Sequence, residues 1–529
     1  MDPRAYAENA QREWARGVFD LFLFGPPEDN VILILAGDAG SGKTRSLKLL
    51  TEMLDAVGLG HIIAYTATTN AAVQASVSDN CCTVHSALGV NTNELLKSPF
   101  STIEDRKRFE KLFLKRHERY LTAKEAVEKR QDELLEKIRL ANRDHVCKSL
   151  NPRCAWCVQA LHTVPEMPGA ACKPILVIDE YGMLSASEFD KLMFAYDTLS
   201  PSYFGKIVIL VGSVSQLSWR AAKPLTESSR FMSDFVHSTN LWYNFRQEED
   251  LADALSVMQF NTITDWSVSV LGRGMVGLEK ATDPEFKPGA LRIFNSDAER
   301  DIFNFKCSQM KKTVKLPGLR ITGSGPDRDA LLHMLGDRYK FLFGKRPEMH
   351  LGKDVLLTLN ARAIAVKTLN NCYASGVFFK LLTDPETKKP CGVVLKTTDN
   401  ESKQIGEVTI KNGSSSALFY PVAASSAINT FTAQGCTVHD EVIYIPPRTN
   451  YFMSSILPSA YVACSRVTKA ENLFIASDSF LKLKGPNVPF FKKPVLDFKI
   501  LYEMGYTHQS LNSDLLTEPT KKRQRTEPL

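Results

Sequence analysis

The sequence predicts an α/β protein whose parallel sheets carry helices on both faces. Residues 31–36 (VILILA) form an apolar run of strand length, and leucines at helical spacing follow it at Leu47, Leu50 and Leu54. Two later apolar runs, within 174–185 and 206–219, also end in polar residues. Alternation of buried strands and amphipathic helices is typical of parallel sheets, whose ligands bind beyond the carboxyl ends of the strands.

The stretch between the first strand and its helix, residues 37–44, reads GDAGSGKT. Its glycines let several backbone N–H groups point at one anion, and the N-terminus of the following helix adds positive potential. The lysine would reach the β and γ phosphates, and the threonine hydroxyl would hold Mg²⁺. This P-loop therefore predicts binding of ATP and Mg²⁺. The predicted contacts are Gly37, Asp38, Ala39, Gly40, Ser41, Gly42, Lys43 and Thr44.

Polar side chains end the next two apolar strands. At the end of the first, Asp179 is a predicted Mg²⁺ ligand, and Glu180 would polarise the attacking water. At the end of the second, Gln216 would sense the γ phosphate. These residues are the predicted catalytic partners of Lys43.

Length and composition bound the class of protein. With 529 residues the chain is too long for one hydrophobic core, and 44% hydrophobic with 23% charged residues is an ordinary globular composition. The net charge of +6 allows an anionic partner without requiring one. No apolar run has the length of a membrane span, and the first residues show no signal core, so we expect the eleven cysteines to be mostly reduced.

The α/β pattern is interrupted at residues 92–172. Residues 103–143 are dense in charge and contain neither glycine nor proline, which predicts long helices or a helical hairpin. The charges fit either a solvated face or a basic surface near nucleic acid. A CxxC pair and its neighbours offer four thiolates to zinc, although no second CxxC pair is present. The candidate ligands are Cys147, Cys154, Cys157 and Cys172.

The second half of the chain carries further charged and turn-rich signals. Short β-like runs between residues 375 and 412 predict a small barrel-like insert. Arg246 and Arg466 are candidates for stabilising charge on the γ phosphate oxygens. Gln434 and Gly435 come shortly before another apolar strand.

In chain order the sequence shows GDAGSGKT, TATTNAAV, TVHS, VIDE, GSVSQL, NFRQ, TAQGCTVH and YVACSRV. This series resembles the motifs of superfamily 1 helicases, in their order and from about residue 30 to 475. The 5′→3′ branch, with the RecD-like and petite-integration-frequency (PIF) DNA helicases, is the nearest match. The VGS–Q and YNFR segments are also similar to the herpesvirus helicase–primase helicase subunit.

The resemblance implies two RecA-like domains facing each other across ATP, with a helical insert in the first and an SH3-like insert in the second. The first would hold Lys43, Asp179 and Gln216, and the second would supply Arg246, Gln434 and Arg466. The implied units are domain 1A (1–91 and 173–240), insert 1B (92–172), domain 2A (241–374 and 413–483), insert 2B (375–412) and a tail (484–529).

The resemblance also implies individual contacts. Gln11 resembles the glutamine that reads adenine, and its alternative is a solvent-facing helix residue. A second group resembles the segments that lie along single-stranded DNA, where hydroxyl and N–H groups contact phosphates without reading bases. Its members are Thr66, Thr68, Thr83, His85 and Thr437.

Two segments depart from the family pattern. Ser213 stands where most members have aspartate, a change that the herpesvirus-like proteins share. Phe431, Thr432 and Ala433 replace the usual His-Lys-Ser, which puts the side-chain contacts of that loop in doubt because alanine donates no hydrogen bond.

The resulting hypothesis is an ATP-dependent DNA helicase that moves 5′→3′ on single-stranded DNA and unwinds duplex DNA in replication, repair or recombination. Alternatives are a superfamily 1 RNA helicase, or a nucleic-acid-stimulated ATPase subunit of a replication complex that does not unwind alone. Primase or polymerase proteins would be its partners. The basic run at 521–525 (KKRQR) fits a nuclear import signal or a solvated tail.

Overall fold

A computed structural model provides the structure of the chain. It describes residues 2–24, 30–69, 72–73, 76, 78, 80–142, 157, 173–200, 206–213, 225–259, 269–310, 313–338, 342, 347–359, 362–366, 373–397, 402–434, 438, 440–446, 456–476 and 507–509.

The helices are numbered in chain order. They are α1 (Pro3–Phe24), α2 (Lys43–Ala56), α3 (Val84–Ala87), α4 (Asn93–Lys97), α5 (Ile103–Ala141), α6 (Ala186–Leu199), α7 (Ser229–Ser233), α8 (Glu249–Gln259), α9 (Leu278–Ala281), α10 (Asp297–Ser308), α11 (Pro326–Arg338), α12 (Thr430–Ala433) and α13 (Ile456–Cys464).

The strands are numbered in the same way. They are β1 (Val31–Gly37), β2 (Ile63–Ala67), β3 (Cys82–Thr83), β4 (Ile175–Asp179), β5 (Ile207–Gly212), β6 (Phe235–Leu241), β7 (Met275–Val276), β8 (Leu291–Phe294), β9 (Thr313–Leu316), β10 (Arg320–Thr322), β11 (Val355–Thr358), β12 (Arg362–Val366), β13 (Tyr373–Thr383), β14 (Pro390–Thr397), β15 (Ser402–Gly406), β16 (Val408–Asn412), β17 (Ser415–Phe419), β18 (Val422–Ala424), β19 (Ala427–Asn429), β20 (Val442–Ile445), β21 (Leu473–Ala476) and β22 (Thr507–Gln509).

The first domain is built on a seven-stranded parallel sheet in the order β22-β6-β1-β5-β4-β2-β3. Every residue of β1 is buried, which is why this strand reads as a continuous apolar run. The predicted parallel sheet is confirmed. Its edge strand β22 comes from the segment that the sequence predicted as a tail. This strand pairs with β6, and Thr507 lies opposite Thr239.

Helices cover both faces of this sheet, and β1 shows how one strand supplies both cores. Leu33 and Leu35 point into the core that contains residues of α1 and α2, while Ile32 and Ile34 point into the core shared with α5 and α6. This alternation follows from the two-residue period of a strand. It places the end of β1 between the two layers, where the glycine-rich loop begins.

Among the described residues of the predicted helical insert, Ile103–Ala141 form one continuous 39-residue helix, α5. Its N-terminus is fixed by a capping box between Thr102 and Asp105. Phe109 and Phe113 are fully buried and pack edge-on against Phe194 of α6, with ring centroids 6.0 and 5.8 Å apart. In the part of the chain that the structure describes, no helix is both long and apolar enough to cross a membrane.

The second domain is built on a five-stranded parallel sheet in the order β19-β8-β20-β21-β7. Leu291 of β8 pairs with Val442 of β20, and Val442 in turn pairs with Leu473 of β21. Helices α8 and α13 contribute to the core on one side of this sheet. The chain therefore has the two parallel-sheet domains that the sequence predicted.

The β-rich insert of the second domain is wider than the predicted range of 375–412. Strands β9 to β18, between residues 313 and 424, form a five-stranded antiparallel sheet (β15-β14-β13-β12-β18) and two smaller sheets. Its outer limits were missed because they are set by pairing between distant residues, as between Ala363 and Ala424. Only the hairpin-like centre of the insert has the local spacing that a sequence reveals.

Candidate nucleotide site between the two domains

The glycine-rich loop joins the end of β1 to the start of α2. Gly40 and Gly42 have φ angles of 92° and 88°, in the left-handed region that favours glycine. A Cβ at Gly40 would lie 2.5 Å from Asn244 Oδ1, and one at Gly42 would collide with Gln11 Nε2. Glycine is therefore required here both for the backbone conformation and for the space.

Lys43 lies inside the loop. Its Nζ donates to the carbonyl oxygens of Gly37 at 2.8 Å and Asp38 at 2.7 Å. Burial lowers the pKa of the Lys43 amine, and the nearby carboxylates of Glu180 and Asp179 oppose that shift. The amine is thus held by the loop, close to the acidic pair.

Asp179 is the last residue of β4, and Glu180 follows with a left-handed backbone (φ 58°). Asp179 Oδ1 accepts a hydrogen bond from the Glu180 N–H at 2.8 Å. Burial, and secondarily the charge of Glu180, raise the pKa of Asp179 to about 7. The half-buried Asp179 and the buried Glu180 lie near Lys43 and form an acidic strand end suited to a cation, while Thr44 is exposed at the first turn of α2.

The second domain reaches this acidic pair through Gln434. The side chain of Gln434 is fully buried, and its Nε2 donates to Glu180 Oε2 at 3.0 Å. Gln434 lies directly after the short helix α12, whose N-cap is Asn429. The predicted general base and a residue more than 250 positions away are therefore in direct contact.

The two predicted arginines lie at the same cleft. Arg466 is buried, with its Nε donating to Val462 O at 2.7 Å and its Nη2 to Ser465 Oγ at 2.7 Å. Arg246 is half-buried, and its charge is close enough to lower the pKa of Lys43. Burial raises the pKa of the Tyr461 phenol, and both arginine charges oppose that shift.

Three residues of the cleft were not predicted as site residues: Tyr461, Asn244 and Gln247. The Ala39 N–H donates to Tyr461 Oη at 3.3 Å, and Asn244 Nδ2 donates to Ala39 O at 3.1 Å. Gln247 Nε2 donates to Ser465 O at 2.9 Å. Asn244 begins the NFRQ motif and Tyr461 begins the YVACSRV motif, but no rule about residue type indicates that they contact the loop.

Gln11 is buried rather than solvent-facing, so that alternative is wrong. Its Nε2 donates to Ser41 O at 3.3 Å, while its Oε1 and Ser41 Oγ have no hydrogen-bond partner. Gln434 Oε1 is likewise buried and unpartnered. Buried polar atoms normally have partners, so a cluster of unsatisfied ones around an anion-binding loop fits a polar ligand such as a nucleoside triphosphate.

The predicted nucleic-acid residues that the structure describes lie in different surroundings. Thr66 is buried in β2 and its hydroxyl donates to Val177 O at 2.5 Å, so this side chain does not face a bound strand. Thr68 is half-buried and donates to Glu180 O at 2.9 Å. Thr83 is the N-cap of α3. His85 Nε2 lies 4.0 Å from Glu188 Oε1. Burial lowers the pKa of His85 and favours the neutral imidazole.

Several predicted site residues lie outside the described residues. They are Gln216, Gly435, Thr437, Cys147, Cys154 and Cys172. The remaining candidate zinc ligand, Cys157, is buried. Within the described part of the chain no group of three or more His, Cys, Asp or Glu side chains is arranged to hold a metal ion.

Comparisons with known proteins agree with this architecture. Residues 27–256 match the family described as AAA domain. The structure of Pif1 helicase from Candida albicans is 16% identical, with a TM-score of 0.59 over 93% of this chain and 98% of that one. Bacteroides Pif1 bound to single-stranded DNA is 15% identical, with a TM-score of 0.53 over 93% of this chain and 96% of that one.

The Bacteroides Pif1 complex with ADP-AlF3 and single-stranded DNA is 17% identical, with a TM-score of 0.53 over 93% of this chain and 97% of that one. No curated protein matches the chain by sequence. The fold and the cleft define a P-loop protein with two parallel-sheet domains. In particular, the chain has the fold of the Pif1 helicases. The herpesvirus similarity, which these comparisons do not show, stays a prediction.

Proposed function

We propose that this protein is an ATP-dependent nucleic-acid helicase. The observation that carries the proposal is the two-sided cleft, in which Gln434 and Tyr461 of the second domain hydrogen-bond into the acidic pair and the P-loop of the first. A site shared by two domains makes nucleotide occupancy depend on how the domains lie relative to each other. A motor needs that dependence in order to convert hydrolysis into movement.

The residues of the cleft fit a division of roles. Lys43 and the loop N–H groups would hold the phosphates, and Thr44 with Asp179 would hold Mg²⁺, which would neutralise phosphate charge when bound. Glu180 would take a proton from the attacking water, because its carboxylate is oriented by Gln434. Arg246 and Arg466 would stabilise the charge that develops on the transferred phosphoryl group.

Contact between the acidic pair and the predicted nucleic-acid segment supports coupling of hydrolysis to a bound strand. The Thr68 N–H donates to Asp179 O at 3.0 Å, and the Thr68 hydroxyl donates to Glu180 O at 2.9 Å. A strand lying along this segment would therefore contact the same backbone that orients the predicted general base. On this basis nucleic acid should accelerate hydrolysis.

We further infer that the strand is DNA and that movement is 5′→3′. The support is the motif series of the PIF branch and the fold shared with Bacteroides Pif1, which has been captured with single-stranded DNA. Duplex DNA as substrate, a role in replication, repair or recombination with primase or polymerase partners, and a nuclear location through the basic run at 521–525 remain proposals from the sequence alone.

The test is hydrolysis and unwinding measured with defined nucleic acids. Single-stranded DNA should stimulate ATP hydrolysis severalfold more than RNA of the same sequence. A duplex with a 5′ single-stranded tail should be unwound, and one with a 3′ tail should not. Lack of stimulation by either nucleic acid would refute the helicase proposal, and stimulation without unwinding would favour the ATPase subunit that acts only with partners.

A further inference from the structure

The Ala39 N–H is a loop donor that a second-domain side chain occupies. Ala39 lies in the P-loop, yet its N–H donates to the hydroxyl of Tyr461 at 3.3 Å. The usual N–H···O distance is about 2.9–3.0 Å, so this hydrogen bond is long. A better-placed acceptor would replace it at small cost.

The position of the Tyr461 hydroxyl is fixed by its own domain. Tyr461 lies in α13, is 1% exposed, and packs in the same apolar core as Val467 and Leu473. An aromatic side chain held this tightly has little freedom to turn its hydroxyl away. Loss of the Ala39 contact would therefore remove a restraint on the whole of α13.

The same helix leads directly into the turn that carries Arg466. Arg466 Nε donates to Val462 O at 2.7 Å, one residue beyond Tyr461. The neighbouring Ser465 O accepts from Gln247, which belongs to the crossover between the domains. Arg466 is thus mechanically tied to the residue that contacts the loop.

The chemistry of the two competing acceptors is unequal. Burial, with Asp38 nearby, raises the pKa of Tyr461 well above its usual value, so its hydroxyl is a neutral acceptor. N–H groups of such loops bind anions, and hydrogen bonds to a charged acceptor are about twice as strong as neutral ones. A phosphate oxygen reaching the Ala39 N–H would displace the phenol.

We propose that the Tyr461 hydroxyl competes with nucleotide phosphate for the Ala39 N–H, so that phosphate binding releases α13 and repositions Arg466. Tyr461 is then a positioning residue that reports occupancy of the loop to the second domain. This inference rests on the proposed nucleotide binding by the P-loop. It assigns to Tyr461 a role that its place in the YVACSRV motif does not reveal.

The test replaces only the hydroxyl. In Tyr461→Phe the competing acceptor is lost, so a non-hydrolysable ATP analogue titrated by calorimetry should bind about 2- to 10-fold more tightly, the range that one net hydrogen bond represents. Tyr444→Phe is the matched control. Tyr444 is also fully buried in the second-domain core, and its hydroxyl contacts Asn295 Oδ1 at 3.3 Å, away from the loop. The affinity of Tyr444→Phe for the ATP analogue should equal that of the unmodified protein.

Amide hydrogen exchange gives a readout that does not depend on added nucleotide. The peptide containing Ala39 should exchange faster in Tyr461→Phe than in Tyr444→Phe, because its N–H has lost its acceptor. Equal or weaker analogue binding by Tyr461→Phe, or unchanged exchange at Ala39, overturns the competition. If the unmodified protein binds no nucleotide at all, the proposed function fails together with this inference.

Discussion

The two walls of the cleft are built in opposite ways. The first-domain wall is local: Lys43 and the glycines come from one stretch of eight residues, and Asp179 and Glu180 are neighbours at the end of one strand. The second-domain wall is assembled from separate segments, with Gln434 after α12 and Arg466 after α13. Each part of the first wall takes its shape from one continuous stretch of backbone, whereas the second wall needs separate segments to pack together.

This difference predicts how each wall responds to damage. Replacing Lys43 should remove a predicted phosphate contact and leave the fold intact, because the backbone of the loop is unchanged. A substitution in the second wall removes a side chain that is also part of a buried hydrogen-bond network. Substitutions in the first wall should therefore lower nucleotide binding and hydrolysis together. Substitutions in the second wall should lower hydrolysis more than binding.

The largest expected effect is that of Lys43→Ala. Removing the amine that the loop holds close to the acidic pair should reduce ATP hydrolysis to background, a loss of about 10³-fold or more, and should weaken nucleotide binding. The measurement is steady-state hydrolysis with single-stranded DNA present. Lys48→Ala, an exposed lysine of the same helix α2, is the control and should keep full activity. Appreciable hydrolysis by Lys43→Ala would contradict the role of the first wall.

The next effect is that of Arg466→Ala. Hydrolysis should fall about 10²-fold while nucleotide affinity stays within about twofold, because in its proposed role the guanidinium acts on charge that develops during the reaction. Hydrolysis and calorimetric binding are measured together, with thermal unfolding to confirm that the protein is folded. The control is Arg273→Ala, an exposed arginine paired with Asp250 in the same domain. A parallel loss of affinity and activity would show that the two walls do not differ as described.

A smaller effect is expected of Gln434→Ala. Without its Nε2 donor the Glu180 carboxylate loses the hydrogen bond that orients it, and hydrolysis should fall about tenfold, the equivalent of roughly 1.4 kcal/mol. Gln434→Glu should be worse, because it brings a like charge to Glu180. Gln131→Ala, a buried glutamine of α5 outside the cleft, should leave hydrolysis unchanged. Full activity in Gln434→Ala would show that hydrolysis does not depend on the hydrogen bond between Gln434 and Glu180.

Much of the fold was predictable because the signals are local. The apolar strand, the glycine turn and the amphipathic helix of β1, the P-loop and α2 follow one another directly, and each carries its own pattern. The β-rich insert shows the opposite case. Its centre was predicted from short strands and turns, while β9 and β18 were missed because their pairing joins residues far apart in the chain.

The site divides in the same way. The sequence by itself determined the glycine-rich loop and the acidic strand end, since adjacent residues and a backbone turn define both. Only the tertiary structure decided that Gln11 is buried against the loop, that Gln434 holds Glu180, and that Tyr461 contacts Ala39. These contacts depend on how two domains pack, and packing brings together residues whose separation along the chain carries no periodic signal.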